Sequence, residues 1–150
     1  MNIQKAHLND LEHIVNIIVD SSIGEIYFKN KNLSKIIGSA ISSDDFHVLY
    51  DNEIVGFIWS KKDASFDKYP FLHLITVKSE MRGKGYGRAL LDYFENQLYK
   101  DAEKLFLMVG DFNERAKKLY EELDYKEVGI LPSFYCDSVN EYLMMKEKNR

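Results

Sequence analysis

Two rhythms of apolar residues alternate along this chain. Leu11, Ile14, Val15 and Ile18 recur at helical spacing, with Asn9 or Asp10 placed to cap the first turn. Leu33, Ile36, Ile37 and Ile41 predict a second, shorter helix. Residues 2–6 read as a short first strand, and residues 21–31 carry neither rhythm. The runs 46–50 and 54–60 predict two strands closed into a hairpin by Asp51-Asn52, and the polar stretch 61–69 predicts a loop. A third long strand is expected over 71–77 and a helix over 86–99, amphipathic from 89 to 98. Residues 105–109 read as a buried strand, 113–123 as a helix opening near Asn113, and 125–130 and 141–146 as closing strands around an irregular loop at 132–138. The order is strand, two helices, three strands, helix, strand, helix, two strands. It predicts a mixed α/β sheet with both hairpins and crossovers.

Composition narrows this picture without changing it. The chain has 150 residues, 45% hydrophobic and 29% charged, which suits one compact domain over residues 1–150. Pro70 and Pro132 are the only prolines, and no linker, repeat or low-complexity tract interrupts the chain. The net charge of −4 argues against a nucleic-acid partner and for a cationic one. No apolar run reaches membrane-spanning length, so no membrane partner is expected. The single cysteine, Cys136, rules out an internal disulfide. With a start that lacks an apolar leader, it points to the cytoplasm. His7, His13, His47 and His73 are scattered without metal-ligand spacing, so no metal is expected.

The chemistry concentrates in Arg82-Gly83-Lys84-Gly85-Tyr86-Gly87-Arg88, between a predicted strand and a predicted helix. Glycines let the backbone approach a bulky anion and take positive φ. The first N–H groups of a helix lack intrahelical partners and carry the positive end of its dipole. Arg82, Lys84 and Arg88 add positive charge. Together they form a candidate pyrophosphate cradle, with a tight strand-to-helix turn that binds nothing as the competing reading. The dinucleotide fingerprint fails because its third glycine would fall on Arg88, and the P-loop pattern fails because Gly85 follows Lys84.

Arg-x-x-Gly-x-Gly, with Val77 five residues upstream, resembles the acyl-CoA signature of the GNAT superfamily of N-acetyltransferases. A second segment agrees. Asn113 and Tyr120 are seven residues apart, which returns them to nearly one helix face about 10 Å apart. Ala116 lies between them, and Leu119 and Leu123 are expected in the core. Taken alone, Asn113 reads equally as a helix cap and Tyr120 as a buried tyrosine. The segment also resembles the family's Asn-x-x-Ala-x-x-Leu-Tyr-x-x-Leu-Gly-Phe motif, with Asp124-Tyr125 replacing Gly-Phe. The element order matches the superfamily's core over nearly the whole chain, which implies the GNAT fold with acetyl-CoA as cosubstrate. By resemblance, the backbone of Ile75, Thr76 and Val77 pairs with the pantetheine, and one of its N–H groups faces the acetyl carbonyl. Asn113 contacts the CoA arm, and Tyr120 protonates the leaving thiolate.

The pattern is nearest to the acetyltransferases of ribosomal-protein N-termini, whose glutamate base aligns here with Met108. A thioether accepts no proton. Another branch places a glutamate near Phe71, which cannot serve either. The candidate base is His73, which shares a strand face with Phe71, Ile75 and Val77. Its unperturbed pKa near 6.5 suits the task. Asp111 and Glu114 are weaker candidates, and a core or surface histidine without a task is the competing reading. A lysine-like amine costs roughly 4–5 kcal/mol to deprotonate at pH 7 and a peptide α-amine only about 1 kcal/mol, so a missing carboxylate is easier to tolerate for an α-amine. Phe134 and Tyr135, with Tyr27, Phe28 and Trp59, either shape an acceptor pocket or make homodimer contacts. Among Arg115, Lys117 and Lys118, one is a candidate partner of the CoA 3′-phosphate, and the rest form a solvated face. The first functional expectation is acetyl transfer to a small-molecule primary amine. The second is transfer to a peptide or protein N-terminus, and the third is a non-catalytic acyl-CoA-binding domain.

Overall fold

A computed structural model describes residues 1–148. Its strands are β1 (Asn2–Lys5), β2 (Asp45–Tyr50), β3 (Ile54–Ser65), β4 (Tyr69–Val77), β5 (Lys104–Gly110), β6 (Lys126–Leu131) and β7 (Glu141–Glu147). Its helices are α1 (Leu11–Val19), α2 (Ser22–Tyr27), α3 (Leu33–Ser43), α4 (Tyr86–Tyr93) and α5 (Glu114–Glu122). The strands form one seven-stranded sheet in the order β1-β2-β3-β4-β5-β7-β6. The described residues fall into two compact units. One takes Met1–Lys61 and Leu74–Lys100, the other Lys62–His73 and the chain from Asp101 onward. None of the helices is long and apolar enough to cross a membrane, among the described residues.

In the first unit the predicted helical stripes supply most of the core, except that Ile17, outside the predicted α1 stripe, is buried while Val15, within it, is only half-buried. Ile14, Ile17 and Ile18 of α1 and Ile37, Ala40 and Ile41 of α3 pack with Phe46 and Val48 of β2 and Ile54 and Phe57 of β3. The Phe46 and Phe57 rings stack at 5.3 Å. Asp10 stands at the N-cap position of α1 but makes no side-chain cap bond there; its carboxylate instead accepts from the His7 N–H at 2.9 Å, within a short 3-10 turn that precedes α1. The ambiguous stretch 21–31 holds α2, opened by Ser21, whose hydroxyl oxygen accepts from the Gly24 N–H at 3.3 Å. α2 buries no residue, which is why the sequence shows no apolar stripe there. The predicted helix 86–99 is α4 followed by a π-helical turn, Phe94–Leu98.

The second unit is built on β5. It pairs in parallel with β4 at Phe71↔Phe106 and Leu72↔Leu107, and antiparallel with β7 from Lys104↔Glu147 to Gly110↔Glu141. β6 pairs with β7, and the register shifts between Glu127 and Gly129. The polar stretch 61–69 is not a loop throughout. β3 runs on to Ser65 and β4 begins at Tyr69, with Phe66 and Asp67 turning at φ +58° and +56°. Lys61, Lys62, Asp63 and Ala64 are all exposed, so this part of the strand has no buried face to mark it. Leu119 and Leu123 are half-buried rather than fully in the core.

Candidate active site

The strand-to-helix segment after β4 belongs to the first unit. Beyond Val77 the chain makes a short 3-10 turn, Ser79–Met81, and enters α4 through Gly83 and Gly85, at φ +78° and +88°. An L-residue in that region costs roughly 1–2 kcal/mol, so glycine is demanded by the backbone. A Cβ built on either glycine meets nothing within 4 Å. The space above them is open, and the residues present fit a bulky anion such as a pyrophosphate. Ala89 is the first α4 residue to bond back, its N–H donating to the Gly85 carbonyl at 3.1 Å. The N–H groups of Tyr86, Gly87 and Arg88 therefore begin the helix without intrahelical partners, at the positive end of its dipole.

The side chains around the loop divide in their roles. The Arg82 Nε donates to the Val77 carbonyl at 3.3 Å, tying the loop to the end of β4. The Lys84 Nζ lies 3.7 Å from the Met81 sulfur, on the surface. The Tyr86 hydroxyl donates to the Asp51 carboxylate, a contact that raises its pKa. What Tyr86 can offer an anion is its backbone N–H. Gly87 lies inside α4. On β4, Ile75 and Val77 are half-buried and Thr76 is buried. A Cβ on Gly56 of β3 would come within 2.9 Å of the Thr76 carbonyl, so this glycine is required by close approach of two backbones.

The second unit holds Asn113, Tyr120 and His73. Asn113 caps α5, its Oδ1 accepting from the Ala116 N–H at 3.2 Å. The cap reading thus holds for its carbonyl oxygen, and its amide NH₂ is the part that can serve a ligand. Tyr120 is the buried residue of α5, with 6% of its surface exposed. Burial pushes its hydroxyl pKa well above the usual tyrosine value, so it keeps its proton at neutral pH. Asp124, at φ +72°, ends the helix where the resembled motif has glycine, and the Tyr125 N–H then donates to the Tyr120 carbonyl at 3.0 Å.

His73 is exposed, its ring 5.0 Å from Phe71 in edge contact. Leu72 of β4 pairs with Leu107 of β5, so His73 and Met108 stand one step further along their strands. Met108 is half-buried and pairs with Leu143 of β7. Asp111 donates its N–H to the Asn140 carbonyl at 2.9 Å, and Glu114 is exposed in the first turn of α5. Lys117 is committed to Glu127 at 2.8 Å and to the Tyr142 ring at 3.9 Å. Arg115 and Lys118 are the exposed basic residues of α5. Phe134 and Tyr135 are exposed, ring against ring at 4.8 Å. Phe28 packs against the first unit's core, and Trp59 stacks on Phe46 while its N–H donates to Asp44 at 2.9 Å. Trp59 therefore serves its own unit's packing. Among the described residues, no three His, Cys, Asp or Glu side chains stand where they could hold a metal ion.

The family described as Acetyltransferase (GNAT) matches residues 24–125. The chain belongs to the GNAT family. An N-alpha-acetyltransferase of Saccharolobus solfataricus is 30% identical over 112 aligned positions, covering 67% of this chain and 67% of that protein. The chain spans 67%, 62% and 63% of three relatives it matches, about two thirds of their length. A GNAT-family acetyltransferase structure from Bacillus cereus superposes with a TM-score of 0.78 at 28% identity, covering 99% of this chain and 98% of that one. The ribosomal-protein-S18-alanine N-acetyltransferase of Escherichia coli shares the fold, with a TM-score of 0.81 at 21% identity over 99% and 94% of the two chains. The mixed sheet and the helix order are thus those of the GNAT fold, and N-acetyl transfer with acetyl-CoA as donor is the family's chemistry. Asp51 and Glu53, which meet Tyr86 and Lys78 on the flanks of the loop from 35 and 25 residues away, carry no signal in the sequence.

Proposed function

We propose that this protein transfers an acetyl group from acetyl-CoA to the α-amine of a peptide or protein. One observation carries the donor half: Gly83 and Gly85 hold left-handed backbone under open space at the N-terminus of α4, in a chain of the GNAT family. Arg82, Gly83, Lys84, Gly85, Tyr86, Gly87 and Arg88 would hold the pyrophosphate, chiefly through backbone N–H groups. Ile75, Thr76 and Val77 would align the pantetheine, and Asn113 would meet it with its amide. Arg115 and Lys118 are better placed than Lys117 to answer the 3′-phosphate, because Lys117 is already paired. When bound, acetyl-CoA supplies the activated acetyl thioester.

The residues of the chain supply positioning and proton control. Tyr120 holds a proton at neutral pH and would give it to the departing sulfur. His73 would take the proton of the attacking amine. It is the titratable side chain one strand across from Met108, the position at which the resembled branch carries its glutamate. Two supports favour an α-amine over a lysine-like amine. The relative from Saccharolobus solfataricus is named an N-alpha-acetyltransferase. An α-amine also needs only about 1 kcal/mol to lose its proton at pH 7, within reach of an exposed imidazole.

Thiol release from acetyl-CoA with a panel of acceptors tests the reading. The panel contrasts peptides of varied first residue with the same peptides acetylated at the N-terminus, and with polyamines and amino sugars. Release that requires a free α-amine is expected. Release confined to small amines would overturn the acceptor assignment and leave the donor assignment standing.

A further inference from the structure

The turn between β2 and β3 carries two carboxylates, and each reaches a different flank of the glycine loop. Asp51 accepts from the hydroxyl of Tyr86, the first residue of α4. Glu53 pairs with the ammonium of Lys78, the residue after β4. The Lys78 backbone N–H also donates to the Val55 carbonyl at 2.8 Å, so this flank is fixed by main chain as well. The turn itself is tight: Asn52 sits at φ +68°, and the Asp51 N–H donates to the Glu53 carbonyl at 2.9 Å. Between the two held points run residues 79–85, with both left-handed glycines and the open space above them.

Carboxylates beside an anion-binding loop would repel the anion if they faced it. Here each is directed at a donor on the loop's flank. We propose that Asp51 and Glu53 are positioning residues for the acyl donor's diphosphate, holding both ends of the glycine loop so that its backbone N–H groups converge before the ligand arrives. A loop with two left-handed glycines is costly to order on binding, and fixing its ends beforehand lowers that cost. The two contacts are unequal. Glu53 and Lys78 are 55% and 29% exposed at their side chains, where an ion pair contributes little. The Tyr86–Asp51 contact is partly buried and joins a hydroxyl to a carboxylate, so it carries the larger share.

The inference rests on the acetyl-CoA reading, and the test separates the two. Calorimetric titration of CoA into the full chain is compared for the unaltered protein, Tyr86→Phe, Asp51→Asn, their double variant and Glu53→Gln. Tyr86→Phe removes one oxygen from a partly buried contact and leaves the ring in place. Tyr86→Phe is expected to weaken CoA binding about fivefold or more, Asp51→Asn to weaken it by less because its amide oxygen still accepts from the hydroxyl, and the double variant to lose no more than Tyr86→Phe, because both act on one contact. Glu53→Gln weakens it less. In turnover the loss appears in the KM for acetyl-CoA and not in the KM for the amine, a split that general destabilisation would not produce. CoA affinity unchanged in Tyr86→Phe and Asp51→Asn, or losses that multiply in the double variant, would overturn the positioning role alone. An unaltered protein that binds no CoA would overturn both this inference and the acetyl-CoA reading.

Discussion

The ring of Tyr120 meets the ring of Tyr125 edge-on, 6.0 Å between centroids and 65° between planes. Tyr125 is itself buried, and its N–H bonds the Tyr120 carbonyl, so the catalytic candidate is supported from ring and backbone together. A proton donor held this way is pre-oriented. Tyr120→Phe keeps the ring contact and removes the hydroxyl. The expected result is a kcat lower by about 10²–10⁴-fold with little change in the KM for acetyl-CoA. Steady-state kinetics check it, and an unchanged kcat would leave Tyr120 as a packing residue only.

His73 makes a prediction about pH. If it is the base, kcat/KM falls on the acid side, and His73→Gln removes that limb and costs roughly 10²-fold or more. Profiles measured with acceptors of different basicity separate this from direct attack by the free amine. A limb that ignores His73→Gln but follows the acceptor's own pKa excludes the histidine.

Gly85 makes a prediction about backbone. Because a Cβ there meets no protein atom, Gly85→Ala should destabilise the ligand-free fold by only about 1–2 kcal/mol, the cost of left-handed backbone. Gly85→Val places its side chain in the space proposed for the pyrophosphate. It should abolish the rise in Tm that CoA gives the unaltered protein. Thermal unfolding with and without CoA measures both effects, and a Val variant that keeps its full CoA shift contradicts the cradle.

His47 makes a prediction about stability. It is a buried histidine on β2 whose ring lies 5.1 Å from Tyr93 of α4. Burial holds its pKa below the ordinary 6.5; Asp45 raises it in part, and Lys5 lowers it further. A folded-state pKa below the unfolded one gives stability that is present above about pH 6.5 and lost as pH falls through the folded value. Urea midpoints from pH 7 to pH 5 should fall more steeply for the unaltered protein than for His47→Gln. Parallel slopes would remove His47 from the acid response.

What could be read from the sequence, and what could not, follows from periodicity and distance along the chain. The α1 and α3 stripes were legible because each buries one face against the same core. The glycine loop was legible because positive φ at Gly83 and Gly85 demands a residue type that stands out. The extension of β3 to Ser65 was not, since residues 61–64 are exposed throughout and show no alternation. The cap made by Asn113 was legible as one of two readings, and the structure assigns it to the oxygen of the amide. The Tyr86–Asp51 contact lies 35 residues apart and involves two ordinary surface residue types, so no local pattern announces it. Lys117 read as a free basic residue because its partners, Glu127 and Tyr142, lie on other elements.

The most direct test of the account is a balance of products. Purified protein is incubated with acetyl-CoA and a peptide with a free N-terminus. Thiol release and peptide mass are followed in the same sample. The account predicts one acetyl group gained by the peptide for each CoA thiol released, placed on the α-amine by fragmentation, with both signals suppressed in Tyr120→Phe. Thiol release without acetylated peptide, or acetylation that proceeds equally in Tyr120→Phe, would contradict it.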